Sequence, residues 1–420
     1  MKVTGIIMEC NPFHEGHAFI LREARRITQA DYIIAAMSGD FVQRGEPAVF
    51  DKYIRAEQIL QAGADLVLEI PLYAACGSAE YFARGGINLL EKLGVVTDLC
   101  FGSESGDFDN LMRCAQTIAA AERKGSPEST AVYREKLQAG LKGGMPFPAA
   151  RAAALEHFFR EELGKSNEGL VLRYPSAPND ILGVEYCRAL IHSGSSIQPH
   201  AISRIDVPTA TQYRQDILAD RSIPIADAKI IPRTSVTQVP LFPVHPDDFS
   251  DQLMYALRMQ EEELDSFVDV TPELAIRIRK LLGSYSGFTA FCDLINTRSL
   301  ARTRVSRCLL HILLQIRQYR LETQLSAGMA LYARPLAINR AAAPLLSMIS
   351  QNSYIPFLSK MSDARSHLSE KAYSFLEEEI RAEDLYCMTL NRIARDSMPG
   401  EKLPISVPGA LQRKIPVKES

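Results

Sequence analysis

The sequence predicts an α/β protein in which a parallel sheet fills the N-terminal half and a mainly α-helical domain follows. Three observations support this fold class. The first hundred residues alternate short, continuous apolar runs with segments of helical spacing. A glycine, a proline or a polar cluster ends each apolar run. Beyond residue 248 almost every segment has helical spacing. Buried strands that alternate with helices are typical of a parallel sheet covered on both faces.

Five segments have the composition of buried strands, namely residues 3–8, 31–37, 65–70, 98–101 and 200–204. Helices are expected at residues 14–28, 51–62, 78–93 and 108–159, the last of them broken at 143–148. A further helix begins near Pro178, with Asn179 as a candidate cap. Because polar clusters follow the strands, and ligands bind at the carboxyl ends of strands in such Rossmann-like sheets, we expect the functional site at that edge.

The chain of 420 residues is too long for one ordinary core, so two domains are expected. A proline-rich stretch with little periodicity at residues 223–246 is the candidate linker. We therefore predict an α/β domain over residues 1–235 and a helical domain over 236–398. The tail, 399–420, is predicted to be flexible and loosely held.

Composition excludes several classes of protein. No apolar run is long enough to span a membrane, and the N-terminus lacks the features of a signal peptide. The eight cysteines show no CxxC pair and no zinc-ligand spacing, which favours reduced thiols in the cytoplasm. The net charge of −3 gives no general basic field, so a polyanionic partner needs a local patch. Nothing in the sequence selects an oligomeric state.

The turn after the first strand carries the most specific local pattern. His14 and His17 are three residues apart, so they share a face of the first helical turn if the helix begins at Pro12 or Phe13. The free N–H groups and the dipole of a helix N-terminus favour an anion, and Gly16 lets a nucleotide approach the backbone. Two surface histidines paired by chance remain an alternative. A zinc site is disfavoured because no third ligand is evident, and no metal ligand is assigned.

Several sequence blocks extend this pattern. The turn Asn11-Pro12-Phe13-His14-Glu15-Gly16-His17 resembles the HxGH motif of nucleotidyltransferases. The segments 38–48, 64–71, 101–104 and 178–183 follow in order and resemble blocks of the bacterial tRNA(Met) cytidine acetate ligase family. Two positions differ from the family pattern. Cys10 stands where an aromatic residue is common, and Glu15 stands where a small polar residue is common.

The resemblance implies an enzyme that forms acetyl-adenylate from acetate and ATP, with Mg²⁺ expected but without assigned ligands. The acetyl group would then pass to the wobble cytidine of elongator tRNA(Met), giving N4-acetylcytidine. His14 and His17 would be catalytic. ATP would contact Ile7, Met8, Glu9, Cys10, Asn11, Pro12, Phe13, His14, Glu15, Gly16, His17, Ala18, Phe19, Ile20, Gly102, Asn179 and Arg204.

The three proposed ATP contacts outside residues 7–20 also have a purely structural interpretation. Gly102 could simply end a strand, Asn179 could cap a helix, and Arg204 could form a surface salt bridge. Gln43 and Arg44 lie in a loop that could fold over acetate or the cytidine, or could be a plain turn. Asp40 or Glu104 could position the magnesium ion.

An arginine-rich stretch is the candidate RNA-binding surface. Arg298, Arg302, Arg304 and Arg307 lie within ten residues, and Arg317 and Arg320 are expected on the same helical run. Leucines at 309, 310, 313 and 314 supply an apolar stripe, so the arginines could face outward and bind RNA phosphates. The stretch also resembles the Thr-Arg-x-Arg segment of the acetate ligase family. A solvated basic face balanced by acids such as Glu261 to Glu263 is the alternative.

Two other functions remain possible at this point. One is an adenylyltransferase of a cofactor pathway that acts on a small phosphorylated metabolite, although such an enzyme would not need a large arginine-bearing helical half. The other is a non-catalytic RNA-binding protein with a vestigial nucleotide site. Retention of both histidines and of the 38–48 block argues against loss of function.

Overall fold

The computed structural model describes residues 1–122, 127–145, 147–163, 172–219, 242–297, 300–397 and 417–418. The strands in this part are β1 (Val3–Met8), β2 (Tyr32–Ser38), β3 (Phe41–Val42), β4 (Glu46–Pro47), β5 (Leu66–Ile70), β6 (Asp98–Ser103), β7 (Gln198–Ser203), β8 (Pro335–Asn339) and β9 (Val417–Lys418). The helices of the first half are α1 (Glu15–Thr28), α2 (Lys52–Gln61), α3 (Leu72–Ala75), α4 (Ala79–Lys92), α5 (Phe108–Glu122), α6 (Pro127–Lys142), α7 (Phe147–Phe158), α8 (Pro178–Ser193) and α9 (Ala210–Ala219). Those of the second half are α10 (Ser250–Met259), α11 (Pro272–Leu281), α12 (Phe288–Ile295), α13 (Arg302–Leu313), α14 (Gln318–Ser326), α15 (Ala343–Asn352), α16 (Ala364–His367) and α17 (Glu370–Ser397).

The central sheet confirms the predicted fold class. All five predicted strands are present and run parallel, in the order β7-β6-β1-β2-β5. From β1 the chain proceeds through β2 to β5 on one side and then crosses to β6 and β7 on the other. This reversal places a crevice at the carboxyl ends of β1 and β6, where parallel sheets of this kind bind ligands.

Both faces of the sheet are covered, which explains the continuous apolar character of its strands. Successive β1 side chains alternate between two cores, because strand side chains point to opposite faces in turn. Val3 and Ile7 belong to a large core that continues through α10 to α14, whereas Ile6 and Met8 belong to a smaller core beneath α1 and α2. The larger core is therefore shared by residues from both halves of the chain.

The helical half also contributes strands, which the helical pattern did not predict. β8 pairs antiparallel with the edge strand β5, with Leu66 opposite Ile338. The Asn339 N–H donates to Asp65 O and the Glu69 N–H donates to Arg334 O, at 2.9 Å each. The open hydrogen-bonding edge of β5 thus overrides local helical spacing, and Pro335 takes the first strand position, where a missing N–H is tolerated.

Two predictions about chain organisation fall largely on residues outside the described ranges. Residues 220–241 cover most of the predicted linker, so the domain division at residue 235 stays a prediction. The predicted tail also lies outside the described ranges except at Val417–Lys418, which forms β9 and pairs in parallel with β8.

A buried cluster of charged side chains ties the sheet to α17. The Lys52 ammonium lies 2.7 Å from Glu69 Oε1 and 2.8 Å from Glu383 Oε2. The Arg334 guanidinium contacts the same two carboxylates, at 3.1 Å and 2.7 Å. Since Glu69 lies on β5 and Glu383 on α17, these contacts fix the long C-terminal helix against the edge of the parallel strands.

The cysteines and the longest helices relate the structure to the composition of the chain. All eight cysteines are buried and free of disulfide bonds. In the described part of the chain, no helix is both long enough and apolar enough to cross a membrane.

Candidate active site

The histidine turn lies at the carboxyl end of β1, beside the crevice. Cys10 adopts a left-handed conformation (φ 50°), and the Asn11–Pro12 peptide bond is cis. α1 then begins at Glu15, with His14 as its extended N-cap residue. The helix thus begins one residue after the predicted start at residue 14, not at Pro12 or Phe13, and both histidines do lie at its first turn.

The two imidazoles cap the helix reciprocally. His14 Nδ1 accepts a hydrogen bond from the Gly16 N–H at 3.1 Å, and His17 Nδ1 accepts one from the His14 N–H at 3.2 Å. A backbone N–H can only donate, so each Nδ1 carries a lone pair and each neutral ring carries its proton on Nε2. The turn therefore presents two Nε2–H donors on ring edges turned away from the backbone that they cap.

Burial keeps both rings neutral. Desolvation, followed by the positive charge of Arg204, lowers the pKa of His14 to about 4. Desolvation also lowers the pKa of His17, and the nearby His14 and Arg204 lower it further. Near neutral pH the free protein thus offers two uncharged N–H donors, whose rings lie 3.9 Å apart between centroids.

We expect an NMR titration of the ring protons to show His14 titrating near pH 4 in the free protein. The ordinary histidine pKa is 6.5, so the unfolded chain binds more protons between pH 6.5 and about 4. The His14 contribution therefore lowers stability as pH falls through that range. Binding of a polyanion should raise the pKa, because negative charge favours the imidazolium. A midpoint near 6.5 in the free protein would contradict this account.

Gly16 has a structural role that differs from the predicted one. A Cβ at this position would lie 2.8 Å from His14 Cε1 and 3.0 Å from His14 Nδ1. The missing side chain thus makes room for the His14 ring over the helix N-terminus. Gly16 also lines the cavity described next, so close approach of a ligand to its backbone stays a prediction.

A cavity of about 650 Å³ opens at the histidine turn, within the usual size range of ligand sites. Most residues of the predicted ATP site line it, namely Ile7, Met8, Glu9, Cys10, Asn11, His14, Gly16, His17, Phe19, Ile20, Gly102, Asn179 and Arg204. Pro12, Phe13, Glu15 and Ala18 do not line it. Glu15 is exposed to solvent, whereas Phe13 is buried with its ring stacked 5.6 Å from that of His17.

The predicted ATP contacts outside residues 7–20 meet where β6 ends and α8 begins. Glu104 Oε1 accepts a hydrogen bond from Asn179 Nδ2 at 2.6 Å and lies 3.4 Å from Arg204 Nη1. The suggested helix cap at Asn179 is wrong, because Ala177 is the N-cap residue of α8 and Asn179 lies inside the first turn. Gly102 lies within β6, next to its last residue. Asn179, Arg204 and Gly102 therefore share one part of the cavity wall.

Two residues that contact the histidine turn carry no local sequence signal. Tyr213 stacks on His14 with ring centroids 5.5 Å apart, and Arg214 donates to Asn11 O at 2.7 Å. Both lie on α9, about 200 residues from the histidine turn. The tip of the β3–β4 hairpin contributes Gln43 and Arg44 to the cavity wall, from the loop that the sequence analysis expected to fold over acetate or the cytidine or to be a plain turn.

The arginines of the predicted RNA-binding stretch differ in their ion pairs and in whether they line the cavity. Arg302 pairs with Asp293 at 2.6 Å and with Glu46 at 3.7 Å, whereas Arg307 lines the cavity and lies 3.6 Å from Asp269. Arg304 is partly exposed and shares α13 with both of them. Arg298 lies outside the described residues.

Two arginines do not share the predicted helix. α13 ends at Leu313, Gln315 is left-handed (φ 58°), and α14 starts at Gln318. Arg317 pairs with Glu263 at 2.9 Å, and Arg320 pairs with Glu378 at 2.8 Å. These contacts match the salt-bridged alternative, and the expectation that Arg317 and Arg320 lie on the same helical run as Arg302 to Arg307 is wrong.

The suggested magnesium positions find little support. Asp40 is buried, accepts a hydrogen bond from the Lys52 N–H, and does not line the cavity. Glu104 does line the cavity, but its carboxylate is engaged by Asn179, Arg204 and the Asp180 N–H. Within the described ranges, no group of three or more histidine, cysteine or acidic residues could hold a metal ion.

Comparison with known proteins agrees with this geometry. Residues 1–399 match the family model described as HIGH Nucleotidyl Transferase. The tRNA(Met) cytidine acetate ligase of Acetivibrio thermocellus is 36% identical over 410 residues, which cover 92% of this chain and 95% of that protein. The corresponding ligase of Alkaliphilus metalliredigens is 32% identical, with 94% and 96% covered.

Solved structures give the same result. The crystal structure of Thermotoga maritima TmcAL bound with alpha-thio ATP superposes with a TM-score of 0.83, at 28% identity and with complete coverage of both chains. The apo form of that protein also has a TM-score of 0.83, at 27% identity. The similarity thus extends over the sheet and the helical half together.

Proposed function

Because this chain belongs to the tRNA(Met) cytidine acetate ligase family of HIGH nucleotidyl transferases, we propose that it activates acetate with ATP and acetylates the wobble cytidine of elongator tRNA(Met). The product would be N4-acetylcytidine. The observation that carries the proposal is the pair of Nε2–H donors that His14 and His17 hold at the cavity wall.

In the first step, an acetate oxygen attacks the α-phosphorus of ATP. The bond to the bridging oxygen breaks, and pyrophosphate leaves with the electron pair. His14 and His17 stabilise the negative charge that accumulates, together with the N-terminus of α1 and the nearby guanidinium of Arg204.

In the second step, the cytidine N4 amine attacks the acetyl carbon, AMP leaves with the electrons of the broken C–O bond, and the nitrogen releases one of its two protons to water. An aromatic amine is a weak nucleophile, so an activated acyl group is needed. No serine or cysteine nucleophile takes part. Burial raises the pKa of the Cys10 thiol, which keeps this cavity-lining cysteine protonated and unreactive.

The ATP contacts are assigned to the cavity-lining members of the predicted set. Pro12, Phe13, Glu15 and Ala18 would act indirectly by shaping the turn and α1. Mg²⁺ would be held by triphosphate oxygens and water, with at most one carboxylate from the protein, because the described residues include no group of three or more metal ligands. The RNA substrate makes the cytoplasm the expected location.

The tRNA is proposed to approach along the N-terminus of α13. Thr303 is exposed and also lines the cavity, so the cavity opens beside this helix end. Arg302 and Arg304 flank Thr303 and would contact RNA phosphates at the opening. Arg298 is kept as a further phosphate contact on the family resemblance alone.

The proposal is tested by incubating purified protein with ATP, acetate and methionine tRNA, followed by mass spectrometry of the cytidine. We expect an acetyl adduct, together with acetate-dependent exchange between ATP and pyrophosphate. Exchange that requires a phosphorylated metabolite would instead support the adenylyltransferase. Absence of any exchange from folded protein would support a non-catalytic RNA-binding protein.

A further inference from the structure

Part of the cavity wall comes from two segments that lie far apart in sequence. The β3–β4 hairpin contributes Gln43 and Arg44, and the first turns of α13 contribute Thr303 and Arg307. None of these four residues belongs to the histidine turn or to the cluster at Asn179 and Arg204. The cavity therefore has a second polar region that the nucleotide-binding residues do not explain.

This region is held in a fixed arrangement. The Ser306 hydroxyl donates to Gly45 O at 2.9 Å, and both groups are buried. Gly45 is left-handed (φ 81°), and a Cβ there would lie 2.3 Å from the backbone nitrogen of Arg307. Close packing of the hairpin tip on α13 thus sets the position of Arg307 relative to Arg44.

The hairpin tip is also tied to the histidine turn. The Gln43 N–H donates to Glu9 Oε2 at 3.1 Å, and Glu9 directly follows β1. Burial raises the pKa of the Glu9 carboxyl, against the opposing effect of Arg44 and Arg214. Arg44 is therefore close enough to the end of β1 to act electrostatically on a group that lines the nucleotide site.

The two guanidinium groups retain capacity to bind an anion. Within the described part of the chain, Arg44 makes no hydrogen bond or ion pair. Arg307 Nε faces Asp269 Oδ2 at 3.6 Å, beyond hydrogen-bond distance, and within the described part of the chain neither Nη group of Arg307 makes a hydrogen bond. A guanidinium binds a carboxylate or a phosphate through two parallel N–H groups.

We propose that Arg44 and Arg307 form a second anion subsite, which takes either the carboxylate of the acyl substrate or a phosphate of the RNA. The inference rests on the proposed function, in which the acetate anion must approach the negatively charged triphosphate of ATP. Repulsion between acetate and ATP opposes that approach. A guanidinium beside the nucleotide site offsets the repulsion and orients the attacking carboxylate oxygen.

The test measures ATP–pyrophosphate exchange as a function of acetate concentration in Arg44→Gln and Arg307→Gln variants. For the carboxylate role, we expect the acetate KM to rise about 10-fold or more, with the ATP KM changed less than about twofold. Arg44→Lys should give an intermediate rise, because it keeps the charge and loses the two-pronged geometry. Arg22→Gln, which alters an exposed arginine on α1, is the matched control.

A second measurement distinguishes the two sources of the anion. Transfer from synthetic acetyl-adenylate to tRNA needs no free carboxylate, so a defect in that reaction with an unchanged acetate KM identifies an RNA phosphate as the ligand. The subsite would be overturned if the variants kept the acetate KM and the transfer rate of the parent protein. This holds when their thermal unfolding midpoints equal that of the control. Failure of the unmodified protein to catalyse acetate-dependent exchange would instead refute the proposed function.

Discussion

Replacement of either His14 or His17 by alanine is expected to reduce acetate-dependent ATP–pyrophosphate exchange by about 100- to 1,000-fold, the loss typical of removing one oriented donor from a developing anion. Each substitution removes an Nε2–H at the end of α1, where the dipole and the free N–H groups already favour negative charge. The rate should be measured at saturating ATP and acetate, so that weaker binding does not account for the loss.

Alanine at residue 14 removes a helix cap as well as the Nε2–H donor, and an asparagine variant separates the two effects. His14→Ala also removes an N-cap acceptor, which costs about 1 kcal/mol of stability. Asparagine places an amide oxygen where Nδ1 accepts from the Gly16 N–H, but it has no group at the position of Nε2. We expect His14→Asn to keep near-parental stability while its exchange rate stays as low as that of alanine. Recovery of exchange by asparagine would mean that His14 acts only as a cap.

The sequence predicted the parallel strands and the histidine turn because both depend on local pattern. Strands β1, β2, β5 and β6 are mainly apolar and buried, as a sheet covered on both faces requires, whereas Ile202 is the one buried residue of the edge strand β7. The turn was recognisable because its chemistry lies within four consecutive residues, from His14 to His17. Its reciprocal capping was not recognisable, since histidine is an unusual N-cap residue.

The remaining features depend on contacts between distant segments. β8 forms only because β5 offers an open edge, and Tyr213 reaches His14 only through the packing of α9. The arginine pattern was misleading for a related reason. A run of basic residues shows neither where one helix ends nor that acids from other segments, such as Glu263 and Glu378, lie beside it.

Lys52 is the clearest case of a residue whose environment the sequence hides, and it gives the largest expected effect on stability. It occupies the first position of an amphipathic helix, as many surface lysines do, yet it is 1% exposed. Burial and Arg334 lower the pKa of its ammonium, but Glu383, Glu69 and Asp40 outweigh them and leave that pKa raised. The side chain therefore stays charged, and it neutralises carboxylates that have no access to water.

We expect Lys52→Met to lower the free energy of unfolding by about 3 to 5 kcal/mol, the typical cost of removing one partner from a buried ion pair. Methionine fills a similar volume, so the loss reports on charge more than on a cavity. Arg334 alone would then face Glu69 and Glu383. Urea unfolding followed by circular dichroism measures the change, provided that the slope with denaturant concentration is unaltered.

Two further variants separate charge from packing. Lys280→Met alters an exposed lysine on α11 and should change stability by no more than about 0.5 kcal/mol. In Lys52→Met combined with Glu383→Gln, one unpaired carboxylate is neutralised, so the double variant should lose less stability than the sum of the single changes. Strict additivity would show that Lys52 and Glu383 do not compensate each other's charge. The attachment of α17 would then depend on its other contacts, such as those of Phe375 with the ring of Tyr73 and of Glu378 with Arg320.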